Sequence, residues 1–431
     1  MTYSECLRFL YESLPMYQRI GPAAYKADLH NTIALLNHIE NPQQHLRCIH
    51  IAGTNGKGSV SHMIASVLQS LGYNVGLYTS PHLKTFRERI LINGKQISPT
   101  FITQFVSRHI DFFKELQPSF FEITVAMAFE YFYRKKIDIA VIETGLGGRL
   151  DSTNVITPDV SVITNIGYDH TQFLGNTLTK IAAEKAGIIK SHIPVVIGET
   201  HNETREVFIE AAEKQQAPLV FADQVYDLQN INYFRRSGQS LVSFDVYKQH
   251  KLYKKHIISP LTGFYQQKNF LTVSAALDIF FHDMDIPAYA YKRGIKNCLT
   301  TTGFKGRWQI LQKKPLCIAD IAHNEDGIRM VCKQLQSIPH QTLRIVLGVV
   351  NDKDIEAILR LLPKEAVYYF CKANIPRGLD VNLLCEKAQQ HQLYGKSYAS
   401  VKAAYRAAKT EADNQDVVFV GGSAFIVAEI L

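Results

Sequence analysis

The segment IHIAGTNGKGSV, residues 49–60, has the residue types and spacing to hold a polyphosphate. An apolar β-branched run leads into a Gly-rich turn and then into a helix. Gly53 and Gly56 let the backbone turn tightly and aim N–H groups inward, and Thr54 and Asn55 lie between them. Lys57 supplies a point positive charge, Gly58 follows it, and Ser59 opens the helix. A helix N-terminus adds a partial positive charge of its own. The spacing is not the usual GxxxxGK[ST], because Ile51 stands at the first Gly position and Gly58 separates Lys57 from Ser59. The plainer reading is an ordinary strand–helix turn.

Other residues have chemical capacity but weaker local signals. Glu143 closes the apolar run IDIAVI and precedes GLGGR, so its carboxylate is expected exposed at a strand end. Lys185, in IAAEKAGIIK, reads on its own as a solvated helix lysine, and His170 as a polar turn residue after Asp169. Arg307 and Asp320 suit a phosphate and ribose hydroxyls or metal-bound water, or equally a salt bridge between domains. His323 could cap a helix or sit in a core. Ser423, in VGGSAF, could receive a carboxylate or simply cap the helix it opens. Phe120 and Phe121 most often would be core residues.

The elements that must position these groups follow an α/β rhythm. Strands are expected at 48–52, 75–78, 137–142, 160–164 and 194–197, with helices at about 60–71 and 266–280. Unbroken apolar runs suit strands buried on both faces, hence a parallel sheet covered by helices. Residues 219–260 alternate instead, with a turn at Ser237-Gly238-Gln239, and read as an antiparallel flap. A second α/β series has strand candidates at 316–320, 343–349, 367–370 and 417–420. The boundary falls near 298–304, giving an ATPase-type parallel-sheet domain over 1–300 and a smaller Rossmann-like α/β domain over 301–431. A crevice at the strand carboxyl ends is the natural ligand site.

With 431 residues, two domains are expected, and a composition of 46% hydrophobic and 20% charged residues is globular. The net charge of +8 suits anionic small molecules. Lys and Arg are dispersed, and the densest run, KQHKLYKKH at 248–256, reads as an exposed hairpin, so nucleic acid is not an expected partner. Seven cysteines without a CxxC fit reduced thiols in the cytoplasm. No apolar run is long enough to span a membrane, and the N-terminus lacks a signal peptide's basic region.

At the level of whole motifs the sequence resembles the Mur-ligase superfamily. It is nearest to folylpolyglutamate and dihydrofolate synthases. IHIAGTNGKGS is followed in order by YTSPHL (78–83), FRERILING (86–94), SFFEITVAMAF (119–129) and ETGLGGRLDSTN (143–154). Then come ITNIGYDH (163–170), EKAGIIK (184–190), GRWQ (306–309), DIAHN (320–324) and GVVNDKD (348–354). These motifs cover almost the whole chain. Glu325-Asp326 after DIAHN, Ile321 within it, and the loose match of ANIPRGLD (373–380) to an NPRA-type motif depart from the family pattern and bear on substrate detail.

The resemblance implies an ATP-dependent ligase that joins L-glutamate to dihydropteroate and to reduced folates through an acyl phosphate. It implies ATP contacts from Gly53–Ser59, Asn269, Arg307 and Asp320, and one or two Mg²⁺ ions on Ser80, Glu143 and His170. Lys57, Lys185 and His323 are implied as catalytic, with Lys185 carbamylated. Phe121 is implied at the pterin and Ser423 at the glutamate. A cytoplasmic monomer is expected. Three other readings stay open: a cell-wall Mur ligase, although only 52 residues precede Gly53; an NTPase without ligase activity; and a nucleic-acid-binding protein.

Overall fold

The computed structural model describes residues 1–15, 28–282, 284–351 and 353–431. The chain forms two compact units. One contains Met1–Gly167, Thr171–Pro260 and Gln266–Phe304, the other Tyr168–His170, Leu261–Tyr265 and Lys305–Leu431.

The larger unit is built on an eight-stranded sheet. Its order is Lys95–Gln96, Ile90–Ile92, Val75–Tyr78, Ile139–Glu143, Cys48–Ala52, Val160–Ile163, Val195–Ile197 and Leu219–Phe221. Ile90–Ile92 pairs antiparallel with both Lys95–Gln96 and Val75–Tyr78, and the other pairings are parallel. The central strands are buried along their whole length, as their unbroken apolar runs require. The helix Lys57–Ser70 begins earlier than the apolar pattern suggests, directly on the Gly-rich turn. Val60, Met63, Ile64, Val67 and Leu68 on it are fully buried. The helix Ala288–Thr302 packs closely against it at Gly294, where an added Cβ would lie 2.5 Å from the Val67 Cα. Ser119 and Glu122 cap the helix Phe120–Arg134 reciprocally, each side chain bonding the other's backbone N–H at 3.2 and 2.5 Å.

The flap is a three-stranded antiparallel sheet of Tyr226–Arg236, Gln239–Lys248 and Lys251–Ser259. It begins later than expected, because Leu219–Phe221 pairs with Val195–Ile197 in the main sheet. Two-residue turns at Ser237-Gly238 and Gln249-His250 all have positive φ, the geometry that matches strand twist. The basic run 248–256 is a hairpin but not a wholly solvated one. Lys254 is buried, bonding Asp285 at 2.6 Å and the Ile286 carbonyl at 2.8 Å, and Lys248 bonds Asp278 at 2.6 Å.

The smaller unit is a six-stranded α/β sheet. Its order is Gln309–Lys313, Leu316–Ala319, Val417–Gly421, Leu343–Leu347, Val367–Phe370 and Gly395–Ser397. Only the first pair is antiparallel. Ile318, Ile345, Tyr368 and Phe419 are central in its core. All seven cysteines are free thiols, and six are buried. Among the described residues no helix is long and apolar enough to cross a membrane.

Candidate active site

In the larger unit the phosphate loop leaves the carboxyl end of Cys48–Ala52. Gly53 has φ +145°, and a Cβ there would lie 1.9 Å from Thr164 Oγ1. Gly56 has φ +88°, and a Cβ there would lie 2.3 Å from Asn269 Oδ1. Both positions therefore demand glycine. The loop is clamped by ITNIG. The N–H groups of Thr54 and Asn55 donate to the Asn165 carbonyl and side-chain oxygens at 2.9 and 2.7 Å. Thr164 Oγ1 donates to the Asn55 carbonyl at 2.6 Å, and Gly167 N donates to Thr54 Oγ1 at 3.0 Å.

Two cations meet at this loop. Lys57 Nζ donates to the Gly53 and Thr54 carbonyls at 3.0 and 3.2 Å. Lys185 Nζ donates to the same Gly53 carbonyl at 2.9 Å. Lys185 is only 3% exposed, which overturns its reading as a solvated helix lysine. Its helix is pressed onto Gly148, where a Cβ would lie 3.0 Å from the Lys185 Cα. Beyond Gly58, Ser59 Oγ accepts from Gln266 Nε2 at 3.1 Å, and Asn269 Nδ2 donates to Gln266 Oε1 at 2.8 Å. Thus the helix Gln266–Phe280 meets the loop at Ser59 and Gly56.

Glu143 is 4% exposed, not the open strand-end acid expected. Parallel pairing sets it beside Ile51 in the middle of the sheet. Its Oε2 accepts the Ser80 N–H at 3.1 Å, so these two candidate metal ligands lie together. The GLGG turn after Glu143 is held by Asp151, whose Oδ2 accepts the N–H groups of Gly145 and Leu146, both at 2.8 Å. Burial raises the Asp151 carboxyl's pKa despite these bonds. Gly145 faces Phe121, and an added Cβ would lie 2.4 Å from the ring tip. Phe121 is only partly buried, whereas Phe120 belongs to the core.

Behind the YTSPHL turn sits Arg89, 3% exposed. Its Nε donates to His82 Nδ1 at 2.8 Å, and its guanidinium lies 5.1 Å from the Phe120 ring centroid. Burial, reinforced by Arg89, pushes the His82 pKa down to about 3.

The smaller unit assembles a second group. Asp169 accepts from Lys353 Nζ in a short ion pair, and lies 3.2 Å from His323 Nε2. Burial alone would raise its carboxyl, but His170, His323 and Lys353 outweigh that and hold it well below the usual range. His323 Nδ1 lies 3.0 Å from the Ile321 carbonyl. The adjacent Asn324, rather than His323, caps the following helix. His170 sits at φ +50° beside Asp169.

Asp320 is 2% exposed and takes three protein donors: Tyr265 Oη at 2.6 Å, Trp308 N at 2.7 Å and Ala322 N at 2.8 Å. Burial raises its pKa, with Tyr265, Arg307 and the backbone donors opposing. Asp320 thereby fixes the backbone next to Arg307, which is itself partly exposed. Ser423 is buried and accepts the Phe425 N–H at 3.1 Å, capping a seven-residue helix.

Sequence reasoning singled out neither Asp151, Asp169, Lys353, Thr164 nor Asn165. All five lie inside recognised motifs, so the signal was present without a reason to prefer these positions. Among the described residues, no three His, Cys, Asp or Glu side chains form a metal-binding cluster. A buried carboxylate beside a serine nevertheless suits Mg²⁺, which takes few protein oxygens and retains waters.

A glycine-lined phosphate loop, two lysines on one carbonyl and a buried carboxylate at neighbouring strand ends define an ATP-dependent acid–amino-acid ligase on the Mur-ligase plan. The Mur ligase middle domain matches residues 51–277, and the Mur ligase glutamate ligase domain matches residues 306–424. A Bacillus subtilis dihydrofolate synthase/folylpolyglutamate synthase is 32% identical over 92% of each chain. A probable bifunctional folylpolyglutamate synthase/dihydropteroate synthase of Haloferax volcanii is also 32% identical, and this chain spans half of that protein's length. The Escherichia coli enzyme FolC, solved with DHPP and ADP, superposes with a TM-score of 0.85 at 27% identity, covering 100% of this chain and 97% of that one. A bifunctional folylpolyglutamate synthase/dihydrofolate synthase with Mn, AMPPNP and L-glutamate bound gives a TM-score of 0.83 at 26% identity, with the same coverage. The chain belongs to the folylpolyglutamate synthase/dihydrofolate synthase family of Mur ligases.

Proposed function

We propose that this chain adds L-glutamate to dihydropteroate, giving dihydrofolate, and also extends reduced folates with further glutamate. The observation that carries this reading is the adjacency of the Lys57/Lys185 loop, the Glu143–Ser80 pair and the partly exposed Phe121 within one unit.

A carboxylate is a poor electrophile toward an amine. Attack by its oxygen on the γ-phosphorus of ATP breaks the bond to ADP and forms an acyl phosphate. The glutamate amine then attacks the acyl carbon, phosphate leaves with the former carboxylate oxygen, and the amine proton is released. The N–H groups from Gly56 to Ser59 hold the phosphates while those of Thr54 and Asn55 tie the loop to Asn165, and Lys57 offsets charge on the transferring group. A divalent cation on Glu143 and Ser80 would further neutralise the phosphoryl oxygens. For His170 as a third ligand, the support is the resemblance alone.

Lys185 fits carbamylation because it is buried and its nitrogen has a fixed carbonyl partner. A carbamate keeps one N–H for Gly53 while turning a cation into an anion. Asp320 acts as the residue that positions Arg307 for a phosphate, since its oxygens already accept protein donors. His323 and Ser423 remain candidates for the incoming glutamate and Asn269 for the adenine. The chain works in the cytoplasm as a monomer on small molecules, with neither nucleic acid nor membrane as partner.

The acyl-phosphate route is tested with dihydropteroate carrying heavy oxygen in its carboxylate. One labelled oxygen should appear in the released phosphate. Unlabelled phosphate alongside conjugate would refute the route.

A further inference from the structure

The guanidinium of Arg89 is a buried charge with no carboxylate within ion-pair distance among the described residues. A buried unpaired charge is costly and survives where neighbouring groups put it to use. Arg89 is braced on all sides. The Phe120 ring lies under its guanidinium, and its carbonyl accepts the Thr79 N–H at 3.0 Å. The turn before it is equally fixed, because the Glu88 carboxylate accepts the N–H groups of Leu83, Lys84 and Thr85.

What Arg89 does with this rigidity is set the tautomer of His82. A guanidinium can only donate, so His82 Nδ1 must accept and its proton must sit on Nε2. Among the described residues nothing bonds that Nε2. The ring itself is partly exposed, with the Tyr11 ring centroid 6.3 Å away. A cation behind the imidazole also polarises it and strengthens the outward N–H as a donor. His82 lies two residues from Ser80, whose N–H is bonded to Glu143. The donor therefore shares a turn with Ser80, a candidate metal ligand, and has the Tyr11 ring beside it.

We propose that His82, held by Arg89 as the Nε2–H tautomer, donates a hydrogen bond to the reacting carboxylate of the acid substrate and so selects for it. This rests on the pterin-ligase reading. Arg89 is then a positioning residue, and His82 the group that touches substrate.

The test compares equilibrium binding of dihydropteroate and of its decarboxylated analogue, by fluorescence, to wild type, His82→Leu, His82→Gln and Arg89→Met. KM values for the acid and for ATP are measured alongside. His82→Leu should bind dihydropteroate about tenfold more weakly, the effect of one lost hydrogen bond to a charged group, and bind the analogue as wild type does. KM for ATP should hold. His82→Gln, which keeps an outward N–H, should recover part of the loss, and Arg89→Met should show it in milder form. Unchanged dihydropteroate binding in His82→Leu, with a wild-type thermal midpoint, would overturn the proposal, as would equal losses for acid and analogue. Should His82→Leu misfold, His82→Gln and Arg89→Met decide the matter by the same acid-against-analogue comparison. Absence of any pterin-dependent ligation by wild type would instead overturn the underlying ligase reading, and this proposal with it.

Discussion

Replacing Gly53 by Ala strains the phosphate loop in two separable ways. At φ +145° an L-residue lies outside the left-handed helical well, in backbone space that is almost exclusively glycine's. That conformation costs about 1–3 kcal/mol. The new Cβ would also lie 1.9 Å from Thr164 Oγ1 and 3.1 Å from Thr164 Cβ. Thr164 is β-branched and cannot swing away freely, and its hydroxyl is committed to the Asn55 carbonyl at 2.6 Å. Displacing it forfeits a further ~1 kcal/mol. The expected destabilisation is about 2–4 kcal/mol, with nucleotide affinity falling at least tenfold as the N–H groups lose their aim. Urea unfolding and ATP binding by calorimetry read both quantities. Thr164→Ala alone should cost about 1 kcal/mol through the orphaned carbonyl. The double variant should cost less than the sum, because the overlap with Oγ1 is gone while the φ strain remains. A Gly53→Ala protein within 0.5 kcal/mol of wild type that binds ATP normally would refute this account of the loop, as would full additivity with Thr164→Ala.

Three further outcomes are expected. Asp169→Asn removes the carboxylate that pairs with Lys353 and His323 and lies beside His170, and should destabilise the smaller unit by about 3 kcal/mol. Because the folded Asp169 pKa is depressed, its contribution is present above the ordinary carboxylate range and is lost as pH falls below about 4; acid titration of Asp169→Asn should lack that component. Glu143→Gln should weaken Mn²⁺ binding, read by electron paramagnetic resonance, by about 10–100-fold and reduce ligation in step; unchanged Mn²⁺ affinity would remove Glu143 from the metal site. Gly145→Ala puts a methyl 2.4 Å from the Phe121 ring and should raise KM for the pterin acid while KM for ATP holds; the reverse pattern would separate Phe121 from the substrate.

Much of this architecture was legible because its signals are local. The strands at 48–52 and 75–78 and the helix at 266–280 are runs with one clear period, and the loop announces itself through Gly53, Gly56 and Lys57. What escaped depends on partners distant in sequence. Glu143 looked exposed because nothing near it shows that Ile51 pairs beside it. Lys185 looked solvated because its burial comes from Gly148 and Gly53, 37 and 132 residues away. The strand Gly395–Ser397 contains no apolar side chain and is set only by its ladder to Tyr368–Phe370. Leu219–Phe221 was read into the flap because it abuts the alternating residues that follow, yet it completes the main sheet. Asp169 stood out only as the neighbour of His170, until folding brought Lys353 and His323 to it.

The central claim is most directly tested by ADP release with mass detection of product. Dihydropteroate, tetrahydrofolate and no pterin are compared, each with L-glutamate and Mg·ATP, and Lys57→Ala serves as control. The account predicts products heavier by one glutamate residue from both pterins, ADP in equal amount, and neither from Lys57→Ala. ADP release that ignores pterin and glutamate, with no conjugate formed, would contradict it.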